Sequence, residues 1–127
     1  VSTQQNFDVK TLLGAVARTT SADGAAVDLQ GYVNPGGRAM KAYLDVGAVG
    51  TAGNLAVKIQ QSDTTTAADF ADITGAAFAG LTSANTAATN QSIHFVATKR
   101  YVRAVATQEA AKGHSYGVYL LAEKRAQ

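Results

Sequence analysis

A chain of 127 residues has room for one domain of ordinary size, and two separate cores are excluded. Apolar residues make up 46% but aromatics only 7%, and 26 residues are alanine, so the expected core is thin and built largely from small side chains. Charged residues are 16%, against a usual figure of about 25%, which favours a protein living in contact with others; a net charge of +2 is too slight to imply a nucleic-acid groove.

Residues 1–24 read as an extended N-terminal arm whose large apolar groups are Phe7, Val9, Leu12 and Leu13. A helix over residues 8–17 is weakened by Gly14 and by the β-branched Val9, Thr11 and Val16. Ordering such a segment costs about 1–2 kcal/mol per residue in backbone entropy, so it must bury those side chains against the chain's own body or a partner. Over residues 25–127, turn chemistry recurs every eight to twelve residues with period-two alternation between the turns, the pattern of an antiparallel β-sandwich.

Residues 27–33 read as a strand ended by Asn34-Pro35-Gly36-Gly37, where proline presets φ and the glycines permit positive φ. Residues 39–46 put Met40, Ala42, Leu44 and Val46 on one face and Lys41, Tyr43 and Asp45 on the other. After a loop over residues 47–53, Leu55, Val57 and Ile59 alternate with Ala56, Lys58 and Gln60. Residues 70–73 and 77–81 read as two short strands around Gly75, and residues 82–91 as a polar surface loop. Strands over residues 93–97, 101–107 and 116–123 bring the count to about eight, which suits a jelly roll or a related two-sheet sandwich. In the second of these, Val102, Ala104 and Ala106 point inward, and Val105 interrupts the outward face beside Tyr101 and Arg103, so that face is expected to be covered by a neighbour.

The residue types needed for catalysis are sparse. With no cysteine, disulfide scaffolds, thiolate metal sites and cysteine nucleophiles are excluded. His94 lies mid-strand opposite Ile93 and Phe95, and His114 lies in the turn Lys112-Gly113-His114-Ser115. Neither has HxH or HExxH spacing, so both read as solvent-facing or interface histidines rather than bases or metal ligands. Asp63, Asp69 and Asp72 surround one loop, but Thr64 to Ala67 stand where a calcium loop needs alternating oxygens and a glycine; Asp63 reads as a turn cap. Gly47-Ala48-Val49-Gly50 lacks the phosphate-loop pattern. Lys99, Arg100 and Arg103 are joined by one aromatic, Tyr101, too few for a stacking track along a nucleic acid. No apolar run approaches the roughly 18 residues of a membrane span, and the first ten residues lack a basic-then-apolar leader, so a soluble protein used without secretion is expected. No catalytic residue, cofactor or metal is assigned, and neither nucleic acid nor membrane is an expected partner. The five tyrosines, with no tryptophan beside them, make a weak sugar platform and read better as sheet-edge or subunit contacts.

Four segments in order, Val27-Asp28-Leu29-Gln30-Gly31, Lys58-Ile59-Gln60-Gln61-Ser62-Asp63, Phe70-Ala71-Asp72 and Lys99-Arg100-Tyr101-Val102-Arg103-Ala104, resemble the small capsid decoration (cement) proteins of tailed bacteriophages. The resemblance spans residues 27–107 and implies a non-enzymatic virion protein. Such a protein is assembled in the bacterial cytoplasm, sits on the exterior of an icosahedral capsid, and staples major capsid protein subunits, commonly as a homotrimer. No short family motif marks a contact residue. From the residues themselves, capsid or subunit contact is expected of Phe7, Val9, Leu12 and Leu13 on the arm and of Tyr101 and Arg103 on the strand. Deleting residues 1–20 is then expected to leave the sandwich folded and weaken assembly. The alternative reading is a carbohydrate-binding β-sandwich module.

Overall fold

The structure, a computed structural model, describes residues 7–30, 38–48, 52–109 and 112–123. Among the described residues, nine antiparallel strands make up nearly all of the regular structure: β1 (Phe7–Arg18), β2 (Ala22–Asp23), β3 (Val27–Asp28), β4 (Arg38–Val46), β5 (Leu55–Ser62), β6 (Ala71–Ala77), β7 (Thr89–Ala97), β8 (Tyr101–Gln108) and β9 (His114–Glu123). One 3-10 turn, Ala67–Asp69, joins them.

Period-two alternation does what it should in the central strands. It buries Met40, Ala42, Leu44 and Val46 of β4, Leu55, Val57 and Ile59 of β5, and Val102, Ala104 and Ala106 of β8. The first sheet runs β1-β9-β4-β7, the second β2-β8-β5-β6, with β3 also paired to β8. Counting β2 and β3 as one interrupted strand leaves eight. The first then pairs with the last, the second with the seventh, the third with the sixth and the fourth with the fifth. That nesting, a long hairpin rolled over on itself into two sheets, is the jelly roll. Between the sheets, Ala42, Ala97, Ala104, Ala106 and Ala122 are buried beside Leu44, Ile59, Leu120 and Tyr116, which is the thin, alanine-rich core that the composition implies.

The N-terminal segment differs from the expected arm. From Phe7 on it is an edge strand, paired with β9 from Phe7 opposite Glu123 to Arg18 opposite His114. The β-branched residues that weaken a helix here favour a strand, and a continuous ladder offsets the entropy that made the segment costly. Register shifts between Thr11 and Leu13 and between Leu13 and Val16 bulge the strand, so Leu12 and Leu13, adjacent in sequence, are both buried. Residues 1–6 of the expected arm lie outside the described residues.

Three other boundaries move. Of the strand expected over residues 27–33, Val27–Asp28 pairs with β8 and the Leu29 N–H donates to the Arg100 carbonyl; the Asn34-Pro35-Gly36-Gly37 turn lies outside the described residues. The two short strands expected around Gly75 are one strand, β6. Gly75 sits within it at φ +81°, a left-handed conformation open to glycine, at a register shift against β5. Strand β7 begins at Thr89, inside the expected loop, because β4 offers nine residues of unpaired backbone and a ladder asks nothing of side-chain polarity.

Candidate interaction surface

With both inner faces filled, chemistry is left to the outward faces and the ends. On the first sheet, register aligns outward side chains in rows. Val9, Leu121, Lys41 and His94 stand side by side, then Thr11, Tyr119, Tyr43 and Ser92, then Gly117, Asp45 and Asn90. Val9 is 68% exposed and Val96 50%, and Tyr43, Tyr119 and Leu121 are half-buried. The Tyr119 ring lies across Gly117, where a Cβ would come within 2.6 Å of its hydroxyl. The Lys41 ammonium stands 5.2 Å from the Tyr43 ring centre, and neither Lys41 nor Asp45 has an ion-pair partner among the described residues.

The second sheet's outward face is a bonded polar network. Lys58 Nζ pairs with Asp72 at 3.0 Å, the Gln60 side-chain amide donates through Nε2 to Asp72 at 2.8 Å, and the Arg103 guanidinium donates to Gln60 Oε1 at 2.9 Å. Arg103 also stacks 4.6 Å from the Phe70 ring centre. Along one margin Arg100 holds Asp28 through two nitrogens, at 3.0 and 2.9 Å, and stands 5.1 Å from the Tyr101 ring centre. The Arg100 bonds, with the Gln30 backbone N–H, hold the Asp28 carboxyl below its ordinary pKa; Gln60 and then Lys58 do the same for Asp72.

The residues expected to make contacts are therefore scattered. Leu12 and Leu13 are spent on the chain's own core, Phe7 stands at the start of the edge strand, and Val9 faces solvent. Tyr101 and Arg103 lie half-buried on the second sheet, Arg103 already engaged. Tyr43 and Tyr119 are two of the five tyrosines expected at sheet edges or subunit contacts, and only the β1-β9-β4 register shows that they and Leu121 are neighbours of Val9.

His114 overturns the solvent-facing reading. It is fully buried and its Nε2–H donates to the Gly53 carbonyl at 2.7 Å, because the segment before β5 closes over the start of β9, held also by the Glu109 N–H on the Asn54 carbonyl. His94 is exposed, as its alternation implies. The three aspartates near the 3-10 turn do not converge: Asp63 pairs with Lys99, Asp69 accepts from the Thr64 hydroxyl and Asp72 faces Lys58. Among the described residues no group of three or more His, Asp or Glu side chains is placed to hold a metal ion. A cleft of about 460 Å³ at one end of the first sheet is lined by Asp45, Asn90, Ser115 and Tyr116 among others. Tyr116 is the one tyrosine in it, and burial pushes its phenol pKa up while Arg18, 4.8 Å over the ring, pulls it down.

No protein-family model matches the chain, and no curated protein matches it in sequence. Solved structures do. The chain is similar to the SPBc2 prophage-derived protein YomS, at 11% identity and a TM-score of 0.58, with 95% of this chain on 97% of that one. It is also similar to a chain in the structure of infectious bursal disease virus Gx strain, at 13% identity and a TM-score of 0.50; 98% of this chain spans only 33% of that one. A coat protein of Tobacco streak virus aligns at 13% identity and a TM-score of 0.39, over 100% of this chain and 91% of that one. At these identities the likeness is one of fold.

Proposed function

We propose that this chain is a virion structural protein that binds the outer surface of an icosahedral phage capsid and stabilises it by bridging major capsid protein subunits. The supporting observation is the end-to-end jelly roll, shared over nearly the full length of both chains with a prophage-derived protein. A small rigid sandwich with few charges suits the task. Shell expansion and internal DNA pressure load the seams between capsid subunits, and a bridge across a seam must break every contact at once to leave. A second linked contact raises retention by a factor of about 10²–10⁴ without any single strong bond. No reaction is assigned to the chain, whose role on this reading is adhesion.

The test uses phage shells lacking the protein, mixed with purified full-length chain and sedimented. Many copies per shell should co-sediment, and decorated shells should withstand heating that opens bare ones. Shells that recover no protein, or whose robustness is unchanged by it, overturn the proposal.

A further inference from the structure

The outward face of the first sheet is not explained by the fold of one chain. Val9 is exposed and Leu121 half-buried there, and Lys41 and Asp45 are charges of opposite sign without ion-pair partners among the described residues. Depletion of charge with enrichment in tyrosine is the composition of an interface centre.

The arrangement also complements itself. On β4, Lys41 and Asp45 stand one row to either side of Tyr43, which pairs across the sheet with Tyr119. Consider a two-fold axis in the plane of contact, perpendicular to β4 and passing over Tyr43. It turns β4 of a second copy antiparallel to the first, so that Lys41 of each copy stands over Asp45 of the other and the tyrosine rows meet. Sheets packed face to face cross at about 30°, which displaces a residue one row from the axis by about 3–4 Å, within reach of a lysine side chain. Size agrees as well. Four strands about 4.8 Å apart and nine residues long, at about 3.3 Å each, give a footprint near 500 Å² before side-chain relief. That is of the order of the about 800 Å² per partner found in stable complexes.

We propose that the outward face of the first sheet, centred on Tyr43 and Tyr119, is a two-fold interface between two copies of this chain. Self-association is a property of the purified protein and is separate from binding to a shell, so either can fail without the other. A trimer, which the resemblance to decoration proteins implies, joins two different surfaces and has no use for this self-complementarity.

The experiment is sedimentation of the full-length protein and four variants, with thermal melts to confirm that each folds. Wild type should be a dimer or an even multiple of one. Lys41→Asp or Asp45→Lys alone sets like charges face to face twice per dimer and should weaken association by about tenfold or more. The combined Lys41→Asp, Asp45→Lys variant restores the pairing with signs exchanged and should recover association to within a few-fold of wild type. Leu121→Glu should weaken it without lowering the melting temperature. A wild-type monomer at the highest soluble concentration, a trimer, or a combined variant no tighter than the single reversals overturns the proposal.

Discussion

The two outward faces differ in what their side chains are for. On the second sheet Lys58, Gln60, Asp72 and Arg103 bond to one another in sequence, and Arg100 closes on Asp28, so covering that face would strip water from groups already engaged within the chain. On the first sheet Tyr43, Tyr119, Leu121 and Val9 present carbon, and the nearby charges Lys41 and Asp45 have no ion-pair partner among the described residues, so a partner that supplies their counter-charges removes apolar surface from water at small polar cost. A single jelly roll thus separates self-maintenance from association. The first face is the better place to look for partners, whereas alternation alone points to Tyr101 and Arg103 on the second.

The largest effect expected from breaking this division is at the inner surface both sheets share. Val57 is 2% exposed, and Val57→Asp buries a carboxylate with no cation near it in the core, which should abolish the cooperative melting transition seen by circular dichroism. Lys58, next in sequence but outward, is a surface ion-pair member, and Lys58→Ala should cost less than about 1 kcal/mol. Equal sensitivity at the two positions would mean that the inner and outer faces of β5 are misassigned.

A smaller effect separates β1 from the arm it was expected to be. Leu12 is 3% exposed and Val9 68%. Leu12→Ala should lower unfolding free energy by about 2–5 kcal/mol, as cavity-forming substitutions do, and Val9→Ala by no more than about 0.5 kcal/mol. Urea denaturation measures both. By the same reasoning, deleting residues 1–20 removes the edge strand and leaves Val118 and Leu120 without their neighbours in β1, so the truncated chain should lose its fold, not merely its assembly.

How much of this is legible in the sequence depends on whether a residue's neighbours are local. The inward and outward sets of β4, β5 and β8 follow from alternation alone, because side-chain direction in a strand is fixed by the residue before it. Two kinds of feature are not local. Bulges at Leu13 and Gly75 break the period, so the first strand reads as an arm and β6 reads as two strands. Burial by a distant segment is the other: nothing around His114 announces that residues near Gly53 will close over it. The candidate surface fails to appear for the same reason. Val9, Leu121 and Tyr43 are far apart in the chain, and only the pairing of first strand with last makes them one patch.

The smallest expected effect is electrostatic and belongs to the second face alone. Asp28 is held below its ordinary pKa, first by the bond from Arg100 and then by the Gln30 N–H, so the folded state favours its charged form. Its contribution to stability is complete above the unfolded-state value of about 3.9 and is lost as pH falls through the lowered folded value. Both partners are about half exposed, at 47% and 45%, which screens the pair, and exposed pairs contribute about 0.2–1 kcal/mol. Asp28→Asn should therefore lower the urea midpoint slightly at pH 6, and the difference from wild type should shrink as pH falls through the lowered folded value and the wild-type carboxyl takes up its proton. A gap that persists once the carboxyl is protonated would mean that Asp28 acts through packing and not through charge, because the Asx-turn bond from the Gln30 N–H can be accepted by an asparagine side chain as well and cancels in the comparison.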